Sequence, residues 1–570
     1  MTTDTPHASV RTPSPIDAVA ERHTARLVEM SPALRVELGL PGDETVLDDY
    51  SPAGFAARDA LNASTLAELD AAEAQMAADG SAPDAVDAVT LDAMRERLGS
   101  ERAIHAAGLD VGRLNVIHSP LQEIRDLFDL VPQETAADWE NSAAKLRAVG
   151  DALAGYRESL LAARDDGHAP AARQVERGIE QAREASRAGG HFDRFVARAQ
   201  DVPDALGAEL AESAQVARTA FAELAEFLAA EIAPQARAED ACGRDEYRLF
   251  SREFLGAEVD LDETYAWGLA ELERIDAEQR RIAERIAPGK GVFEVMRMLD
   301  ADPARQLHGL DALRTWMQEK ADAAIEALAG TQFDIPEPVR TIECMVLPDG
   351  SGGIYYTPPT DDFSRPGRMW WSVPAGVETF STWQELTTVY HEGVPGHHLQ
   401  IGQAVVVRDT LNTWRRQICW VSGHGEGWAL YAEKLMAELG FLDDPADHLG
   451  MLDSQRVRAA RVCVDIGVHC GLAAPESVGG GTWDADKAWQ FLTDNVAMDR
   501  SFLAFELDRY LGWPGQAPSY AIGRRLWEEI RDAAQSVARA EGRTFDLKDF
   551  HSRALDLGSV GLDTLRRALA

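Results

Sequence analysis

From residue 16 to about 332 the chain reads as helix almost throughout. Ala, Leu, Glu and Arg dominate, and apolar residues recur three and four positions apart, as in LRAVGDALAGYRESLLAAR at Leu146–Arg164. The pattern breaks at DGSAPDA near residue 80, at DDGHAP near 166 and at APGKG near 287. No repeat of fixed period runs through it, and its heptads are not sustained, so packed antiparallel helices are expected rather than a coiled coil. Before it, residues 1–15 are polar and Pro-containing and read as a disordered tail.

At residue 333 the texture changes. FDIPEPVRTIECMVLPDGSGGIYYTPPTDD mixes Pro and Gly with short β-branched and aromatic runs, which predicts two or three short strands with a Gly-rich turn at Asp349–Gly353. MWWSVP continues the extended character, and helical patterning returns at Thr379. The expectation is a mainly α chain with a small β insertion at 338–375. It divides into the tail, a helical region at 16–332 and a catalytic region at 333–570. An exposed strand edge there could hold an extended peptide through its backbone.

Composition narrows the partners. The 570 residues are 45% hydrophobic, enough for a large core, and the net charge of −39 argues against nucleic acid and against an anionic membrane surface. Five widely spaced cysteines form no CxxC pair, which points to a reducing compartment. The first residues show no apolar signal core, and no apolar run approaches the ~20 residues of a membrane span, so a cytoplasmic protein is expected. There is no GxxxxGK[ST] loop, and no GxSxG surrounds a plausible nucleophile.

The chemistry is concentrated in STWQELTTVYHEGVPGHHLQ, residues 381–400. A helix carrying His-Glu, with a second His one turn on, is a metal-hydrolase device: two imidazoles bind the ion and the Glu takes a proton from the water it activates. Here Pro395 stands four residues after His391, and the next histidines are His397 and His398. In an ideal helix seven steps of about 100° return to the same face and favour His398, whereas six miss it by roughly 120°. Pro395 and Gly396 break that ideal, however. A bulge looping out two residues would bring His397 into place, and His397 is the favoured second ligand. A zinc site needs a third ligand and an open position. Glu426 in SGHGEGWALYAEKLMAELG is the candidate, with Glu433 seven residues on, on the same face, as a supporting partner. His424 is a less favoured alternative, ligating from the loop.

HEGVPGHHLQ resembles the HExxPGHxxQ signature of the bacterial family called domain of unknown function 885. YYTPP with SRPG (355–367), GEGWALYAE (425–433), RVCVDIGVH (461–469) and RYLGWPGQAPSYAIG (509–523) resemble further blocks of that family, in the expected order. The resemblance is specific from 340 to 530 and compositional before that. The family is similar in fold and motif logic to thimet-oligopeptidase and neurolysin-like zinc peptidases. This resemblance implies a two-lobed helical shell around a deep channel, with His391, His397 and Glu426 as zinc ligands and Glu392 as base and acid.

Further residues have candidate roles. Tyr520 is placed as a donor to the oxyanion of the intermediate, a role the resemblance also implies. Arg461, Asp465 and His469 fall at successive i+4 steps; the line could orient His469 towards substrate, or be a structural ladder between helices. Arg365 and Arg509 are candidate anchors for a substrate carboxylate, each weighed against a surface salt bridge. Alternation sends Tyr355 and Tyr356 to opposite faces of a strand, so one of them faces the cleft. The expected activity is hydrolysis of short peptides by one zinc ion per chain, although manganese or cobalt would suit the same ligands. A metal-dependent amidase acting on a small molecule and a non-catalytic peptide-binding protein are the rival readings.

Overall fold

All three breaks in the helical pattern end a helix. In the computed structural model, which describes residues 11–348 and 353–570, helices Pro52–Ala78, Ala136–Asp165 and Leu261–Ile286 stop there. The second stop shows the mechanism. Gly167 takes φ 87°, which an L side chain rarely adopts, and its N–H and that of His168 close onto the carbonyls of Arg164 and Ala163. Helix starts are equally local. Thr135 and Asp138 form a reciprocal capping box at the start of Ala136–Asp165, as Asp84 and Asp87 do for Ala85–Ala106.

The protein is mainly α-helical, with two small sheets among the described residues. Strands β2 (Ile342–Pro348), β3 (Ile354–Thr357) and β4 (Gly367–Val373) lie in the order β2-β4-β3, with β1 (Gln306–His308) and β5 (Thr379–Ser381) forming a separate antiparallel pair. β2 runs parallel to β4 from Ile342 opposite Gly367, and β3 runs antiparallel to it. Along β4, Met369, Trp371 and Val373 point into the core while the residues between them are half-buried. Two expectations shift: Thr379 begins a strand rather than a helix, and β1 lies inside the stretch read as helical. The turn expected at Asp349–Gly353 lies, but for Gly353, outside the described residues.

The tail expectation shifts as well. Residues 1–10 lie outside the described residues, but Arg11 pairs with Asp17, Asp84 and Asp87, and Ser14 caps the helix Pro15–Met30. Three charges around one guanidinium, two of them on buried aspartates, hold this segment against the body.

Packing divides the chain differently from sequence texture. One apolar core joins Leu121, Leu146, Tyr156, Phe192 and Phe221 and lies within residues 50–232. The larger core joins Ile16, Leu69 and Met94 from the first helices to Trp383, Trp428 and Trp527 from the C-terminal half. The N-terminal helices thus belong to the body that carries the metal motif.

Candidate metal centre

Four helices build the centre. Thr382–Glu392 carries His391 and Glu392, His397–Val406 carries His397, Ser422–Glu438 carries Glu426 and Glu433, and Pro445–His469 packs behind them. The bulge expected at Pro395 is a complete break instead. The first helix ends at Glu392, where Gly393 N–H donates to Val389, and the second opens at His397. Proline lacks an N–H and cannot continue the ladder. The chain then folds back so tightly that a β-carbon on Gly396 would stand 1.8 Å from the carbonyl oxygen of His391. Only glycine permits that approach, which lets the second helix start with His397 beside His391, their rings edge to face at 4.9 Å. Fully buried Trp428 holds the turn by donating its indole N–H to Pro395 O at 2.9 Å.

The Glu426 helix is placed by small residues. A β-carbon on Gly427 would meet the backbone of Gly523 at 2.4 Å, so the two helices cross almost in contact. On that helix Glu426 and Glu433, seven residues apart, both reach His391.

The geometry fits a metal ion. Glu426 Oε2 lies 3.3 Å from His391 Nε2 and 3.6 Å from His397 Nε2. Ligands about 2.1 Å from a tetrahedral ion stand about 3.4 Å apart. His391 Nδ1 contacts Glu433 Oε1 at 2.8 Å, which keeps a proton on Nδ1 and turns Nε2 towards Glu426 as the nitrogen that could bind an ion. Glu433 is fixed in turn by Thr387 Oγ1, donating at 2.6 Å, and by Ser454 Oγ at 3.4 Å. Of the side chains that meet at this point, Glu392 Oε2 and His397 Nδ1 are buried without a hydrogen-bond partner.

Two carboxylates compete for the third ligand position. Glu392 groups with the two imidazoles, all three ligand atoms lying within 4.8 Å of one another. Glu426 stands closer to both nitrogens, at 3.3 and 3.6 Å, and is the better ligand. Glu392 is then left with a free oxygen beside the position an ion would take.

Electrostatics separate the two acids. Burial raises the Glu392 carboxyl, opposed only in part by His397 and His391. Burial would raise Glu426 too, but bonding to both imidazoles holds it well below the carboxylate range. Burial would lower His391, yet Glu426 and Glu433 hold it up to about 10. One acid is poised to take a proton while the other stays ionised.

The other predicted residues divide. Tyr520 is half-buried in the first turn of Ser519–Ala540, with the Arg461 guanidinium 5.2 Å from its ring centre. Burial and then the charge of Glu426 push its phenol up to about 12. His398 is turned away from the centre. Its Nδ1 meets the Tyr356 hydroxyl at 2.9 Å and its Nε2 the Val339 carbonyl at 2.8 Å. Tyr356 is therefore occupied by His398, while Tyr355 is exposed and stacks on Trp370. Arg365 braces its own loop through the carbonyls of Pro358 and Pro366. Arg509 is buried and bonded to Glu506 and Gln516. His424 is held by Gln400 at 3.0 Å, not by the centre.

His469 needs a correction. It accepts the Cys242 N–H at Nδ1 (3.3 Å) and donates from Nε2 to Tyr510 O (3.0 Å), so both nitrogens are spent on backbone. The Arg–Asp–His line also dissolves. Asp465 accepts from Tyr247 and Gly515, and Arg461 pairs with Glu506. These residues share a helix face but meet different neighbours.

Sequence reasoning missed three residues. Ser454 supports Glu433, Arg458 bonds to Ser454, and exposed Trp420 lies 6.2 Å from the His397 ring. The i+4 spacing of Ser454 and Arg458 was the only available signal, and it could not show which helix they face.

Fold and site together define a mainly helical protein with two histidines and three glutamates gathered at one buried point. The chain belongs to the family described as "Bacterial protein of unknown function (DUF885)", which its residues 32–569 match. No curated protein matches it. Among solved structures it is similar to a "putative lipoprotein" from Colwellia psychrerythraea, at 22% identity and a TM-score of 0.82 over 98% of each chain. It is also similar to a protein of Shewanella oneidensis described in the same words and as of unknown function, at 16% identity and a TM-score of 0.72, over 97% of this chain and 99% of that one. At these identities the likeness concerns the fold. No helix among the described residues is long and apolar enough to cross a membrane.

Proposed function

We propose that the protein is a zinc-dependent hydrolase that cleaves short peptides, with a motif logic like that of thimet-oligopeptidase and neurolysin-like enzymes. One observation carries the reading: His391 Nε2, His397 Nε2 and Glu426 Oε2 converge with the spacing of metal ligands while a buried glutamate beside them keeps a free oxygen. A zinc ion held there would polarise a carbonyl and bring water towards neutral pKa.

The chain's own residues do the rest. Glu433 keeps the His391 proton on Nδ1. Glu392, raised by burial, takes a proton from water at its free oxygen and passes it to the leaving amine. Tyr520 offers its hydroxyl to the carbonyl oxygen as charge develops. All five cysteines are free thiols, which supports a reducing, cytoplasmic setting.

The test pairs elemental analysis with Glu392→Gln. We expect about one zinc per chain in both proteins and a fall in short-peptide hydrolysis of about 10²–10⁴-fold in the variant. Undiminished hydrolysis, or no divalent metal in the unmodified protein, refutes the reading.

A further inference from the structure

The chain carries 95 acidic residues against 56 basic ones, but some arginines still lack a carboxylate partner. Arg458 is one. Among the described residues no carboxylate lies within salt-bridge distance of it. Its Nη1 donates to Ser454 Oγ at 2.7 Å and to Ser454 O at 3.2 Å, and its Nε is buried without an acceptor. Ser454 contacts Glu433 and Glu433 contacts His391, at 3.4 and 2.8 Å, so a continuous chain of contacts links the guanidinium to the metal imidazole.

Three residues along the same helix, Arg461 lies over the Tyr520 ring and pairs with Glu506 at 2.8 Å. Arg509 pairs with that same carboxylate at 3.1 Å, and its Nε is also buried without an acceptor. Three guanidiniums therefore have one carboxylate among them. Arginine keeps its charge at any ordinary pH, so the excess cannot be titrated away.

We infer that Arg458, backed by Arg461 and Arg509, binds a carboxylate of the substrate beside the metal centre, so that the protein selects anionic peptides. The planar fork of Arg458 would gain the acceptor it lacks, and the bound anion would balance the surplus charge. The inference rests on the peptidase reading for what is bound, but not for the binding itself. A free C-terminus and an Asp or Glu side chain offer the same chemistry.

Calorimetric binding to the full chain separates the cases with three N-acetylated tetrapeptides: all-alanine as the free acid, all-alanine as the C-terminal amide, and the amide with one alanine replaced by glutamate. The free acid, the glutamate amide or both should bind at least tenfold more tightly than the plain amide, and which of them does so names the source of the carboxylate. Arg458→Gln should erase that preference, and Arg458→Lys should restore part of it. In turnover the same loss should appear in KM more than in kcat, which a merely structural role for Arg458 would not produce. Equal binding of all three peptides by the unmodified protein, which needs no variant to fold, overturns the inference, as does a preference that survives Arg458→Gln. An acid preference without hydrolysis would keep the carboxylate site and sink the peptidase reading. Hydrolysis without any acid preference would do the reverse.

Discussion

The buried imidazoles of this protein fall into two groups that differ in partners, not in burial. His391 sits between Glu426 and Glu433 and is held up to about 10, whereas burial takes His398 and His469 down to about 4. In the second group both ring nitrogens meet only neutral atoms: Tyr356 and Val339 for His398, Cys242 and Tyr510 for His469. A buried histidine among neutral partners is a packed polar group. One whose two nitrogens both face carboxylates is a candidate ligand.

The sharpest break of this comparison sets neighbours against each other. His397→Ala should abolish zinc binding and with it all hydrolysis, as read by metal content and a peptide assay. His398→Ala should keep the metal and cost about 2 kcal/mol of stability in denaturant unfolding, from two lost hydrogen bonds and the space left behind. If His398→Ala released the metal and His397→Ala retained it, the two groups would have to be exchanged.

These two neighbours also show how far the sequence could be read. HEGVPGHHLQ pointed to His391, Glu392 and His397, which the fold brings together, and the seven-residue step from Glu426 to Glu433 put both on one face, because helical periodicity is local. Pro395 and Gly396 announced a disturbance, but a bulge and a full break share that signature. What separates them is the contact of Gly396 with the His391 carbonyl, a matter of chain path. His469 failed for a related reason. It follows Arg458 by eleven residues, about 16 Å along the helix, so residues on one face serve different neighbourhoods. The extended character of β4 was legible, whereas the parallel pairing of β2 with β4 depends on contacts between segments. The joining of the N-terminal helices to the core around the candidate metal centre was equally hidden, since apolar periodicity says that a face is buried but not against what.

A smaller effect sharpens the ligand group from within. Glu433→Gln removes the carboxylate that accepts the His391 Nδ1 proton but keeps the shape of the side chain. Zinc affinity should fall by about 10–100-fold, as is usual when a partner behind a metal-bound histidine is lost. Competition with a chromogenic chelator reads this directly. An unchanged affinity would mean that the His391 tautomer is set by something other than Glu433.

The last effect concerns the packed group and appears only as pH falls. His469 ordinarily titrates near 6.5, and burial lowers it to about 4 in the folded chain, against a small opposing pull from Tyr510 O. The unfolded chain therefore takes up the proton first. Stability is full above about pH 6.5, declines as pH drops and stops declining on this account below about pH 4. The most this one imidazole can contribute is about 3 kcal/mol. His469→Gln keeps a donor and an acceptor but cannot titrate. Its unfolding free energy, measured by denaturant at pH 7 and pH 5, should lose about one proton's worth of pH dependence relative to the unmodified chain. Most of that difference should arise in the acid half of the interval. If the two proteins kept the same slope, His469 would already be sharing its charge with an acid, and the division between packed and ligating imidazoles would not reach the far end of the Pro445–His469 helix.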